Sequence, residues 1–167
     1  MEQLKIRRAR RVDCAAIAAI YNEGIAERRS TFETEPRTAG DLEHWLRSPY
    51  GPVLLAERHG GPVGWARLFP YSSRRCYAGV AEASIYVRAS ERRRGVGTAL
   101  AMTLKDAAEQ AGRHKLVGKL FADNEASRRL VARCGFRDVG LHLRHARLDG
   151  RWRDVTLVEL LLGEASA

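Results

Sequence analysis

Cysteine is scarce in this sequence, and the three present, Cys14, Cys76 and Cys134, are widely spaced and odd in number. No Cys-x-x-Cys pair occurs and no cysteine–histidine cluster has zinc-ligand spacing. Neither a disulfide framework nor a metal site is therefore expected, and a reducing compartment fits best. Long apolar runs are missing too: none approaches the roughly 20 residues that span a bilayer. The basic opening, Met1–Asp13, has neither the apolar stretch nor the small-residue cleavage site of a signal peptide. Internal repeats, low-complexity segments and dividing linkers are absent. Together these absences predict a soluble, cytoplasmic chain forming one domain over residues 1–167, with no membrane partner. Two anion-binding loops are excluded as well. There is no Gly-Lys-Ser/Thr ending for a P-loop NTPase and no GxGxxG for a dinucleotide site. The sequence shows no helix-turn-helix signal and no aromatic platform, and the basic Met1–Arg11 stretch has no interleaved aromatics, so nucleic acid is not an expected partner.

What is present in excess is positive charge. The net charge is +9 and the sequence pI is about 10.1. Such a field attracts nucleotides, CoA phosphates or acidic substrates. Alternatively, arginine has replaced lysine across a solvated surface, and only the placement of the arginines separates the two readings. At 167 residues, 45% of them hydrophobic, the chain can bury a core without covalent staples.

The pattern alternates short strands and helices. Leu4–Arg8 reads as a strand. Asp13 reads as an N-cap, with Ile17, Ile20, Tyr21 and Ile25 on one helical face. Thr38-Ala39-Gly40-Asp41 resembles a capping box opening a helix with Leu42, Trp45 and Leu46. Val53–Arg58 and Val63–Phe69 form a hairpin across Gly60-Gly61. Ala83–Val87 is a strand, Gly97–Ala111 a helix stopped by Gly112, Lys115–Phe121 a strand and Ala126–Cys134 a short helix. Val139–Leu148 and Trp152–Leu162 pair across Asp149-Gly150. The order predicts an α/β fold: a mixed, mostly antiparallel central sheet flanked by helices, with a C-terminal β-hairpin.

The sharpest local signal lies between the Ala83–Val87 strand and the following helix, at Arg92-Arg93-Arg94-Gly95-Val96-Gly97-Thr98. A helix start carries unsatisfied N–H groups and a partial positive charge. Glycines there let main-chain amides approach an anion, and the arginines add full charges. The same residues also describe a basic surface turn with two convenient glycines.

At these residues the sequence resembles a known family. Arg92–Gly97 is similar to the (Q/R)xxGx(G/A) acetyl-CoA motif of the GNAT superfamily. Asn124-Glu125-Ala126-Ser127 with Cys134-Gly135-Phe136 looks like its next motif. Ile20–Asn22, Thr31–Pro36, Ala81–Val87 and Gly150–Val155 resemble segments of the phosphinothricin N-acetyltransferases. Cys76–Gly79 and Arg144–Trp152 resemble the arsinothricin-resistance branch.

The resemblance implies the GNAT fold, acetyl-CoA as cosubstrate, a homodimer, and acetylation of a small-molecule amine with the character of an acidic amino acid. It implies that the CoA diphosphate sits on Arg92, Arg93, Arg94, Gly95, Val96, Gly97 and Thr98. The pantetheine arm would lie along Ile85, Tyr86 and Val87, with Asn124 and Ser127 approaching from the second motif. Glu82 takes the family's general-base position, where apolar neighbours would shield it. Arg74 and Tyr77 match positions that hold the substrate's acid groups, Arg75 is placed to share that task, and Phe32 reads either as an apolar wall or as core. Val131 stands where many relatives place a tyrosine or histidine. Valine donates no proton, so the CoA thiolate is expected to leave unprotonated or to take its proton from water. Lys115 and Lys119 read as strand-end charges, His145 as solvated or structural, and Trp45 and Trp152 as core or subunit-contact residues. Two other functions stay open. One is the same fold acting on another amine, such as a protein N-terminus, a polyamine or an aminoglycoside. The other is a non-catalytic acyl-CoA or nucleic-acid binding module.

Overall fold

The computed structural model describes residues 3–167, so the first two positions of the basic Met1–Arg11 stretch lie outside the described residues. The strands are β1 (Lys5–Arg8), β2 (Leu54–Arg58), β3 (Gly61–Pro70), β4 (Val80–Val87), β5 (Lys115–Phe121), β6 (Arg137–Leu148) and β7 (Arg151–Leu161). The helices are α1 (Cys14–Glu27), α2 (Ala39–Leu42, continued by a 3-10 turn over Glu43–Arg47), α3 (Val96–Gln110) and α4 (Glu125–Arg133). All seven strands join one sheet in the order β1-β2-β3-β4-β5-β7-β6. Neighbours are antiparallel except β4 and β5.

The element order matches the sequence reading, and Lys115–Phe121 has the same bounds. The chief difference is β4, which begins at Val80 rather than Ala83. Val80, Ala81 and Glu82 pair with Lys115, Leu116 and Val117, a partner over 30 residues away that local patterning cannot reveal. Asp13 is a second difference. It takes the N-cap position of α1 as read, but its carboxylate accepts from the Arg10 N–H at 2.7 Å and closes the 3-10 turn Arg11–Asp13 instead of bonding an α1 amide. The Thr38–Asp41 capping box forms as read: Thr38 Oγ1 accepts from the Asp41 N–H, and Asp41 accepts from the Thr38 N–H.

Opposed residues in β3 and β4 share a face, and this sorts the core into two layers. Ala66, Leu68 and Ala81, with Ala83 and Ile85, pack against Leu100 and Leu104 of α3. On the other face, Trp65 and Tyr86 stack with ring centroids 4.9 Å apart beneath Ile17, Ile20 and Tyr21 of α1, with Trp45 beside them. Gly24 makes this contact close. A Cβ there would lie 2.7 Å from Tyr86 Cε1, so a side chain would lift α1 off β4. Trp152, by contrast, is half exposed, which removes it from the core. No helix among the described residues is long and apolar enough to cross a membrane.

The entry to α1 is tied to the sheet by Arg7, which donates to both Asp13 oxygens (2.8 and 2.9 Å) and to Glu57 of β2. Arg7 holds both carboxyls below their ordinary values. A carboxyl lowered in the folded state contributes stability fully above its unfolded value, and that contribution is lost as pH falls toward the folded value. We expect the wild type to lose stability steeply below about pH 4, and Asp13→Asn to lose less over the same interval while being less stable at neutral pH. Urea midpoints measured across about pH 6 to about pH 3 would check this; parallel pH profiles would contradict it.

Candidate active site

The site grows from the way β4 and β5 part. Their pairing ends at Glu82 and Val117, yet β4 continues along β3 to Val87 and β5 continues along β7 to Phe121. Each strand follows its antiparallel neighbour as the sheet twists, so a gap opens between them toward their C-terminal ends. On the β5 side, the main chain of β4 from Ala83 to Val87 therefore has no strand partner. Backbone groups alternate sides along a strand, so Ile85 and Val87 turn theirs toward this gap while Tyr86 directs its own toward β3; the Tyr86 ring is committed to the core under α1. Burial pushes the Tyr86 hydroxyl well above its ordinary value, which keeps it protonated.

α3 opens beside the end of β4. Gly95 precedes it at φ 82°, a left-handed conformation that glycine adopts without strain. The first intrahelical bond runs from the Ala99 N–H to the Gly95 carbonyl at 3.0 Å, leaving the amides of Val96, Gly97 and Thr98 ahead of the ladder. Gly97 has a different reason: its missing Cβ would meet Leu130 of α4 at 3.1 Å, so it sets the approach of α4 to α3.

The arginines of the turn are not equivalent. Arg92 pairs with Glu27 of α1 at 2.9 Å and donates to the Val87 carbonyl. Arg94 pairs with Glu91 at 2.9 Å, and Glu91 also holds Arg58 at 2.8 Å. Glu23 of α1 holds Arg88 at 2.6 Å and accepts from the Ala89 N–H. Arg93, at φ 60°, makes no hydrogen bond or ion pair among the described residues. Two of the three charges brace the loop, and Arg93 alone is free.

Glu82 ends the paired part of β4. Its side chain is 14% exposed, and Lys119 Nζ lies 3.2 Å from its carboxylate. Opposed pairs place Glu82 and Ser84 on one face with Phe69 and Arg67 of β3, and with Val117 and Lys119 of β5. The shielding expected of Glu82 is therefore found together with a cationic neighbour. Lys119, read from the sequence as a strand-end charge, stands inside β5 as that neighbour. Lys115 is also engaged, with Glu159 at 2.8 Å.

Asn124 caps α4: its Oδ1 accepts from the Ser127 N–H (3.1 Å) and its Nδ2 donates to the Arg29 carbonyl (3.1 Å). It lines a polar cleft of about 570 Å³ with Arg28, Asp123 and Arg153, at the end of β5. Arg74 and Arg75 lie exposed on the β3–β4 connection, with no ion pair among the described residues. Arg74 lies over the Tyr77 ring at 5.6 Å. Phe32, partly buried, packs edge-on against Phe121 at 4.8 Å beside a small cluster with Leu148 and Val155. His145 is exposed and stacks on His142.

Sequence reading missed Arg67 altogether. Its only trace there is an arginine inside the apolar run Val63–Phe69, which invites its reading as the outward position of an amphipathic strand. In the structure it faces inward.

A family profile described as "Acetyltransferase (GNAT) family" matches residues 17–136. This chain belongs to that family. It is 32% identical over 163 residues to a phosphinothricin N-acetyltransferase of Streptomyces coelicolor, covering 94% of this chain and 95% of the relative. It is 32% identical to an L-methionine sulfoximine/L-methionine sulfone acetyltransferase of Salmonella typhimurium, covering 98% of each. Among solved structures, YncA of Salmonella typhimurium, determined with its cofactor acetyl-CoA, superposes with a TM-score of 0.92 at 29% identity over 98% of this chain and 96% of that one. The fold is the GNAT fold, and the protein is an acetyl-CoA-dependent N-acetyltransferase. The gap between β4 and β5 and the free amides of α3 fit an extended thioester arm and its diphosphate.

The unequal arginines predict unequal variants. Arg93→Ala should raise the KM for acetyl-CoA about tenfold with little change in Tm, whereas Arg92→Ala should lower Tm by releasing α1 from the turn. Steady-state kinetics and thermal melts on both variants check this; the reverse pattern would reassign the two residues.

Proposed function

We propose that this enzyme acetylates the primary amine of a small acidic amino-acid analogue of the phosphinothricin, arsinothricin or methionine sulfoximine type, with Glu82 as general base. The observation that carries the reading is Glu82 itself: a shielded carboxylate at the point where β4 and β5 part, with the Lys119 ammonium 3.2 Å away. The resemblance of the Cys76–Gly79 and Arg144–Trp152 segments favours the arsinothricin member, and the names of the relatives favour the class.

Acetyl-CoA supplies the acetyl thioester. In this reading, Arg93 and the amides from Gly95 to Thr98 bind the diphosphate, and the main chain of Ile85–Val87 lies along the pantetheine arm. Asn124 and Ser127 keep the start of α4 in shape beside it. An ammonium is not a nucleophile, so Glu82 accepts a proton from the acceptor nitrogen, directly or through one water. The freed lone pair attacks the thioester carbonyl, and main-chain N–H groups of β4 face the oxygen on which charge collects. The C–S bond then breaks. Val131 has no proton to give, so the thiolate departs as such or is protonated by water. Lys119 holds the Glu82 carboxylate in place, while Arg74, Arg75 and Tyr77 meet the acceptor's distal acid group. The cationic surroundings oppose polyamines and aminoglycosides by like-charge repulsion.

We also infer a homodimer. β6 is one of the two edge strands of the sheet, and Leu141 and Leu143 on it are 53% and 72% exposed, with Trp152 half exposed on β7. An open, apolar edge of this length is ordinarily covered.

Glu82→Gln should lower kcat by roughly 10²- to 10⁴-fold with the KM for acetyl-CoA nearly unchanged, read by thiol release with phosphinothricin, arsinothricin and methionine sulfoximine as acceptors. Wild-type inactivity toward the whole panel would refute the substrate class, and an active Glu82→Gln the base. Light scattering should give twice the 18.7 kDa chain mass, and Leu143→Glu should halve it; a monomeric wild type would rule out the dimer.

A further inference from the structure

Arg67 has no counter-charge. Among the described residues it makes no hydrogen bond and no ion pair, and its Nε is sealed from solvent without an acceptor. Its guanidinium lies 4.0 Å over the Trp45 ring and 5.0 Å from the Phe69 ring. Burial pulls its pKa down to about 10, so it remains a cation at neutral pH. A cation withdrawn from water with no partner is costly, and ring faces offset only part of that cost. The rings also give the sealed Nε–H no acceptor.

The register says where those donors are needed. Arg67 opposes Ser84, and Phe69 opposes Glu82, so Arg67 and Glu82 stand on adjacent rungs of the β3–β4 ladder and on the same face. Diagonal neighbours on one face lie within reach of long side chains. The guanidinium rests near Phe69, the residue directly across from Glu82, so it leans toward the Glu82 rung. On its other side Glu82 meets Lys119 at 3.2 Å, and that pairing leaves Arg67 as the unneutralised cation of the group.

We propose that Arg67 is a specificity-determining residue: its guanidinium receives the α-carboxylate of the acceptor amino acid while Glu82 faces the amine. The inference rests on the acetyl-transfer reading of this cleft. In an α-amino acid the carboxylate carbon is two bonds from the nitrogen, so a group that holds it must adjoin the base. Arg67 meets that requirement on the neighbouring rung. Arg74 and Arg75, on the exposed connection before β4, are left for an acid farther along the side chain. A planar fork suits a carboxylate in pairs of hydrogen bonds, and its preorganisation between two rings reduces the entropy lost on binding.

L-methionine sulfone tests this cleanly, because its carboxylate is its only anionic group. Wild-type enzyme should prefer it over the decarboxylated amine, 3-(methylsulfonyl)propylamine, by about 10- to 100-fold in kcat/KM. In Arg67→Met the ratio should collapse to within about threefold, chiefly through KM, and Arg67→Lys should lie between. Binding gives a second readout that needs no turnover. L-methionine sulfone should raise the Tm of the wild type and leave that of Arg67→Met unmoved, and ligand-free Arg67→Met should melt no lower than the wild type. A preserved ratio, or an equal loss on both acceptors with a lowered Tm, would make Arg67 a structural brace and overturn the proposal. If the wild type acetylates neither compound yet its Tm rises with the amino acid only when Arg67 is present, the acceptor reading fails and the carboxylate site stands. No rise in the wild type refutes the site.

Discussion

The parting of β4 and β5 after three paired residues is the constraint on which the remainder of the molecule depends. Two parallel strands held together throughout would satisfy each other's main chain and leave no edge to a ligand. Here β4 stays with β3 and β5 stays with β7, and the twist carried by each antiparallel pair pulls their ends apart. The gap lies at the C-terminal ends of parallel strands, where a following helix also begins, so open strand amides and free helix amides come to the same edge.

Much of the surrounding charge maintains that geometry. α1 is pressed onto β4 through Gly24 and Tyr86, and its acidic residues Glu23 and Glu27 tie down Arg88 and Arg92 of the turn before α3. Glu91 holds Arg58 and Arg94 from inside the turn. The two readings of the basic composition are thus both partly right. Many arginines are spent on internal bracing, and a smaller set, including Arg67, Arg74, Arg75 and Arg93, has no carboxylate partner among the described residues. Exposed single ion pairs contribute little stability, but several converging on one loop restrict its conformations.

The architecture was largely legible because its signals are local. Short apolar runs marked β2 and β3, a Gly-Gly and an Asp-Gly pair marked the hairpins, and a glycine closed α3. The glycine-bearing turn was legible for the same reason, as strand, turn and helix follow one another along the chain. What stayed hidden depended on partners distant in sequence. Val80–Glu82 joins β4 only because Lys115–Val117 lies alongside, and Asp13 turns away from α1 because Arg7 and the Arg10 N–H are nearer to its carboxylate. That Gly97 also lets α4 pack closely, through Leu130, could not be read from the turn itself.

The sequence by itself determined the order of strands and helices, the turn that opens α3, and the resemblance that points to acetyl transfer. Each of these is written in residues within a few positions of one another, or in words shared with relatives. Tertiary structure alone decided which charges are free and which are spent, that Lys119 faces Glu82, and that Arg67 lies against the Trp45 and Phe69 rings with no counter-charge. A strand pattern tells that alternate residues face opposite ways. Which way is inward depends on what the opposing strand and the covering helix bring to each face, and that is settled only when they pack.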